Sequence, residues 1–276
     1  MRIGIIAGHG RFPFLVAEGA RRAGHEVVVV GLRGLADPAL RSLADRFYWS
    51  GVVRLGRWIR IFRRERVDRA IMAGSVRKRE MYGRFRLLRY LPDWTTIRIW
   101  FFVAPDRRND TLLRAAADEM QRKGVPLGNS VEYCPEHMAP EGQMTRRGPS
   151  PAQLRDIEFG WRIAKELGRL DIGQSVAVKE QEVIAVEAIE GTDDMIRRAG
   201  QLCRSGGWCL IKVAKPEQDM RFDVPTVGVH TIENLHTHGA AVLVVEAGKT
   251  LMVDRDQVLA AADRLGIVVV GRRAPG

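Results

Sequence analysis

Apolar residues along the chain come in short dense runs, separated by stretches in which they recur every three or four positions. Ile3 to Ala7 is the first run. It ends at Gly8-His9-Gly10 and leads into Phe14, Leu15, Ala17 and Ala20 at helical spacing, before Val27 to Val30 form a second run. Dense runs read as buried strands and the spaced sets as amphipathic helices, so the chain opens as strand, loop, helix, strand. Ala70 to Ala73 is a further strand, following a basic helix around Trp58 to Arg66. Thr111 to Lys123 has the pattern of a helix that Asn109 or Asp110 would cap. Strands alternating with helices predict a parallel, Rossmann-like sheet and an α/β fold.

From Tyr133 to Pro151 the periodicity fails, and Pro135, Pro140, Gly142, Gly148, Pro149 and Pro151 punctuate a polar stretch. The domain boundary is expected there: residues 1–134 as the Rossmann-like domain, 135–151 as linker, 152–276 as a second α/β domain. In that second half, helices are expected over about Gln153 to Leu167, Asp193 to Cys203 and Val258 to Leu265. Apolar strands are expected at Ser175 to Val178, Val183 to Val186, Cys209 to Val213, Ala240 to Glu246 and Ile267 to Val270.

Bulk properties narrow the picture. Hydrophobic residues make up 46% and charged residues 28% of the 276, as in ordinary globular proteins. Cys134, Cys203 and Cys209 form no C-x-x-C pair and leave an odd count, which argues against a disulfide framework or zinc ribbon and fits a reducing cytoplasm. The first apolar run is too short and glycine-interrupted for a signal peptide, and no stretch is long enough to span a bilayer. The formal charge of +11 implies anionic partners, and arginines crowd the first half, as in Arg60, Arg63, Arg64, Arg66, Arg77, Arg79, Arg84, Arg86 and Arg89. No RNA- or DNA-binding module accompanies that charge, so no nucleic acid is expected as partner.

Four features carry candidate chemistry, each with a plainer alternative. Gly8, His9 and Gly10 lie between strand and helix, where backbone N–H groups can cradle a phosphate; they would equally make a tight turn. Pro13 replaces the third glycine of the dinucleotide fingerprint, and the second strand ends in Arg33 without a ribose-binding acid, which argues against a nicotinamide cofactor while suiting a phosphate. Ser75 to Arg108 mixes arginines with Met81, Tyr82, Phe85, Leu87, Leu88, Tyr90, Leu91, Trp94, Ile97, Trp100, Phe101 and Phe102. This pattern suits a lipid headgroup boundary, an acyl groove, nucleic-acid stacking, or a helix packed through its aromatics. His230, His236 and His238 lack zinc-site spacing and read as surface or capping groups. Glu187-Ala188-Ile189-Glu190-Gly191-Thr192-Asp193 and Lys212 to Gly228 follow apolar strands, where open α/β sheets gather ligands. Their acids and cations could hold a hard metal and neutralise phosphate oxygens together, or form surface ion pairs.

The stretches Ala188-Ile189-Glu190-Gly191-Thr192-Asp193, Lys215-Pro216-Glu217-Gln218-Asp219-Met220-Arg221-Phe222-Asp223-Val224-Pro225-Thr226-Val227-Gly228 and Glu246-Ala247-Gly248-Lys249-Thr250 resemble the LpxI-type UDP-2,3-diacylglucosamine pyrophosphatase family. Asp171-Ile172-Gly173-Gln174 precedes them, and Ile5 to Pro13 is similar to that family's first strand and loop. Two departures stand out: Glu182 occupies a position where a hairpin glycine is expected, and Arg108-Asn109-Asp110 replaces a Gly-Asp-Asp. The resemblance implies Mg²⁺-dependent cleavage of UDP-2,3-diacylglucosamine to UMP and 2,3-diacylglucosamine 1-phosphate in lipid A synthesis. It also implies a Rossmann-like N-terminal domain, a linker, a second α/β domain and a homodimer, with peripheral contact to the inner membrane as an added expectation from the basic-aromatic segment. Under it, Asp223 is the central catalytic acid, with Asp219, Lys212, Lys215 and Arg221 beside it. Asp223, Asp219 and Glu190 are the expected metal ligands; Gly8, His9, Gly10, Gly191, Thr192, Asp193, Gln218 and Thr226 are the expected substrate contacts.

Overall fold

The computed structural model describes residues 1–76, 91–106, 109–216 and 218–273, with Asn109 and Asp110 described by backbone alone. It divides the chain into two compact units. The first comprises 1–135 together with 219–222, the second 136–218 together with the chain from 223 onward.

The first unit is built on β1 (Arg2–Ala7), β2 (Glu26–Leu32), β3 (Arg46–Ser50) and β4 (Arg69–Ala73), all parallel in the order β3-β2-β1-β4. A parallel sheet is covered on both faces, so its inner strands are apolar throughout. Ile3, Ile5, Val27, Val28, Val29 and Val30 are all buried. Helix α1 (Phe12–Arg22) packs Leu15, Val16 and Ala17, with Pro13 in its first turn, where a missing N–H costs nothing. The core that includes Ile6, Val28 and Val30 takes Phe62 from α2 (Leu55–Arg64) and Met120 from α4 (Asn109–Arg122). Between those helices lie α3 (Trp94–Arg98) and a π-helical turn, Ile99–Val103. From the basic-aromatic segment expected at the sequence level, Arg77, Arg79, Met81, Tyr82, Arg84, Phe85, Arg86, Leu87, Leu88, Arg89, Tyr90 and Arg108 lie outside the described residues.

The second unit carries a mixed six-stranded sheet in the order β5-β12-β10-β8-β6-β7. Its strands are β5 (Gly142–Gln143), β6 (Ser175–Lys179), β7 (Glu182–Val186), β8 (Trp208–Lys212), β10 (Ala240–Glu246) and β12 (Val268–Arg272). Side chains alternate across it: Trp208 and Leu210 join one core cluster, Cys209 and Ile211 the other. The first cluster is covered by α6 (Thr192–Leu202), α7 (Val229–Thr237) and α8 (Arg255–Leu265), the second by α5 (Pro151–Arg169). Ser150 and Gln153 form a capping box that starts α5. Burial pushes the Cys209 thiol up to about 12. A two-stranded parallel sheet joins β9 (Thr226–Val227) to β11 (Leu251–Met252).

Within the expected linker 135–151, Gly142 and Gln143 pair antiparallel with β12. One expectation is corrected here. The hairpin turn before β7 is Glu180-Gln181, both left-handed at φ 54° and 59°, with Lys179 opposite Glu182. Glu182 is therefore the first strand residue and not a position that needs glycine. Two-residue hairpin loops require positive φ at both central positions, and the Gln181 N–H is held by Asp156 Oδ1 at 2.7 Å.

Candidate active site

In the first unit, the Gly8-His9-Gly10 loop closes on the end of β4. Gly8 N–H donates to Ala73 O, and His9 and Ser75 exchange both backbone hydrogen bonds. A side chain at Gly8 would meet Ser75 O at 2.8 Å, so this glycine permits close backbone approach. Gly10 has φ +101° and open space where a side chain would stand. Two of the loop's donors are thus spent within the fold. A cavity of about 360 Å³ opens in the same unit where β2 and β3 end, lined by Arg33, Trp49, Ser50, Arg54 and Arg57. A second, of about 490 Å³, is lined by Arg98, Arg114, Asp118, Glu119 and Arg122.

Asp219 and Arg221 also belong to the first unit. The Arg221 guanidinium grips both Asp219 oxygens at 2.7–3.1 Å, and the Arg221 N–H donates to Asp219 Oδ1. That guanidinium holds the Asp219 carboxyl below its usual range, against the opposing effect of burial. Ser130 pins the segment: its N–H donates to Met220 O, and its hydroxyl lies 2.7 Å from both Arg221 O and Met72 O.

The second unit places the other candidates at strand ends. Lys212 closes β8, is buried, and donates to Thr192 Oγ1 at 3.1 Å; that hydroxyl donates to Glu187 Oε1 at 2.9 Å. Thr192 opens α6, whose N-cap is Gly191 at φ 85°. Ser175 and Glu187 lie in the same row of the sheet as Lys212, through the Ser175–Lys212 pair and the Glu187 N–H to Ser175 O bond. Glu190 is ion-paired with Arg198, and Asp193 is exposed, 3.9 Å from His230 Nε2. Lys215 Nζ bonds Asp171. Gln218 Nε2 donates to Asp223 Oδ2 at 2.8 Å, and Thr226 Oγ1 to Val224 O at 2.9 Å. Glu217 lies outside the described residues.

Among the described residues no three His, Cys, Asp or Glu side chains form a metal-holding group. Glu190 and Asp219 are each ion-paired with an arginine, and Asp223 Oδ2 accepts from the Gln218 amide.

One cluster escaped the sequence reasoning in its connections. Glu246, 1% exposed at the end of β10, accepts hydrogen bonds from Ala214 N–H at 2.9 Å and Lys165 Nζ at 2.9 Å, and pairs with Lys249. Burial pushes its carboxyl up, but Lys165, Lys249 and the Ala214 N–H outweigh that and hold it below the usual range. The signal available in sequence is a charged residue closing an otherwise apolar strand.

A family model described as the LpxI N-terminal domain matches residues 2–137, and one described as the LpxI C-terminal domain matches 140–270. This chain belongs to the LpxI family. It is 37% identical over 282 residues to the UDP-2,3-diacylglucosamine pyrophosphatase LpxI of Caulobacter vibrioides, an alignment covering 98% of this chain and 97% of that protein. Both LpxI domain models thus find their counterpart here, and the resemblance read from the motifs stands.

Proposed function

We propose that this chain hydrolyses the diphosphate of UDP-2,3-diacylglucosamine to UMP and 2,3-diacylglucosamine 1-phosphate, as a step of lipid A synthesis. The near full-length match to the Caulobacter pyrophosphatase carries this reading. Water adds across the P–O–P bridge: one phosphorus gains its oxygen, and the bridging oxygen leaves on the other phosphate. Such a reaction needs an oriented water and cationic groups on the phosphate oxygens.

Asp223 is the proposed central acid, because its charge is held by the Gln218 amide and it ends a loop that begins at the C-terminal end of β8. Lys212, with Thr192, and Lys215 are the proposed partners of the phosphate oxygens. Arg221 is a weaker candidate because Asp219 already occupies its guanidinium. Mg²⁺ commonly binds through one or two carboxylates plus substrate phosphates, without an all-protein cage. Asp223 together with the diphosphate fits that need, and the ion would neutralise phosphoryl charge there. The proposal extends to a homodimer in the cytoplasm that touches the inner membrane peripherally. Trp94 and Phe102, 73% and 77% exposed, support the membrane contact. No described helix is long and apolar enough to cross a membrane.

Pure protein incubated with UDP-2,3-diacylglucosamine and Mg²⁺ is expected to release UMP, and to stop when the metal is chelated. Binding of the substrate without UMP release would replace hydrolysis with a carrier role.

A further inference from the structure

We propose that Gln218 is a positioning residue that aims Asp223, and that its own orientation is set by a buried clamp of Glu246 and Lys165 on the Ala214 peptide groups. This rests on the hydrolase reading above.

The path starts at the end of β8. Ala214 is fully buried; its N–H is taken by Glu246 Oε2 at 2.9 Å and its C=O by Lys165 Nζ at 3.1 Å. The same ammonium bonds both Glu246 oxygens, at 3.2 and 2.9 Å, so acid and base close around one residue from α5 and β10. With both polar groups of Ala214 engaged, the direction in which the next residue leaves the sheet is fixed. Lys215 follows, tied at its Nζ to Asp171.

The Lys215 N–H donates to Gln218 Oε1 at 2.8 Å, and the Gln218 N–H returns to Lys215 O at 3.1 Å. A primary amide has one acceptor end and one donor end. Because a backbone N–H meets its oxygen, its NH₂ must face Asp223 Oδ2, which it does at 2.8 Å. The flipped amide would set NH₂ against N–H and oxygen against carboxylate, two repulsions at once. Gln218 therefore cannot turn its amide over to suit a ligand. It transmits the position of the clamped loop to the carboxylate, and displacements of about 1 Å at a reacting group can cost about 100-fold in rate.

The test is a kinetic cycle on the full chain with UDP-2,3-diacylglucosamine and Mg²⁺. Gln218→Leu is expected to lower kcat about 10- to 100-fold with KM within about twofold. In an Asp223→Asn background the same change is expected to do nothing further, because the two act as one unit. Lys165→Met removes the hold on the Ala214 carbonyl while leaving Glu246 paired with Lys249, and is expected to lower kcat by a smaller factor at unchanged KM. In the free protein, the Gln218 side-chain NH₂ resonances in ¹⁵N NMR are expected to move on Asp223→Asn and to shift part of the way toward those of an unstructured glutamine in Lys165→Met. A rise in KM at constant kcat would make Gln218 a substrate contact and overturn the proposal, as would effects that add with Asp223→Asn. NH₂ resonances indifferent to Asp223 would overturn it independently. A wild-type chain without turnover would defeat the hydrolase reading alone, and the NMR result would then decide the positioning role.

Discussion

Asp219 and Asp223 lie four residues apart in one motif and live in different surroundings. Asp219 belongs to the first unit and is chelated by Arg221, two residues on. Asp223 belongs to the second unit and is met by the uncharged amide of Gln218. A carboxylate neutralised by its own sequence neighbour has its charge committed to holding a turn. Asp223 has an oxygen oriented instead by the side-chain amide of a loop residue. Proximity in sequence says little about which acid does which.

The sharpest way to break this comparison is to remove each charge in turn. Asp223→Asn is expected to fold normally and to lose turnover by about 100-fold or more, the scale of several kcal/mol in transition-state stabilisation. UMP release under saturating substrate checks this, and near-wild-type release from the folded variant would remove Asp223 from the chemistry. Asp219→Asn is expected to lose about 1–2 kcal/mol of stability in chemical denaturation, since Arg221 is left half-buried with a weaker partner. Its turnover should stay within about threefold; a loss matching that of Asp223→Asn would make the two acids equivalent. The smallest effect sharpens the contrast through pH. Arg221 lowers the folded-state titration of Asp219 below its unfolded value of about 3.9, so the stabilisation is complete above that value and drains away as pH falls through the folded one. Stability measured between about pH 5 and 2 should therefore fall less steeply in Asp219→Asn than in wild type. Parallel curves would show that the ion pair contributes nothing.

Much of the fold is legible in the sequence because burial on both faces forces uniform apolar runs: β1, β2, β4, β8 and β10 all announce themselves in this way. Strand β3 does not. Its residues Arg46 to Ser50 form an edge with only Ser50 fully buried, so no apolar run marks it. Strands β5, β9 and β11, two residues each, carry no periodicity to detect. At the site, the motif fixed attention on Asp223 and Gln218, but not on their contact. The Lys165–Glu246 pair was invisible because its members stand 81 residues apart and meet only once the sheet has formed. The arginine partners of two acids were hidden for a related reason: composition shows that Glu190 and Asp219 are acids, not that Arg198 and Arg221 pair with them.

The membership of residues 219–222 in the first unit bears on how the protein is made. Ser130 has its N–H answered by Met220, and Phe222 packs against the core that includes Phe62 and Met120. A chain emerging from the ribosome presents residues 1–135 long before it presents these four. The first-made part must wait, incompletely sealed, while most of the second is still being translated. Its final closure is a late event of biosynthesis, and a gene cut after codon 135 would yield a Rossmann-like unit with that seam still open.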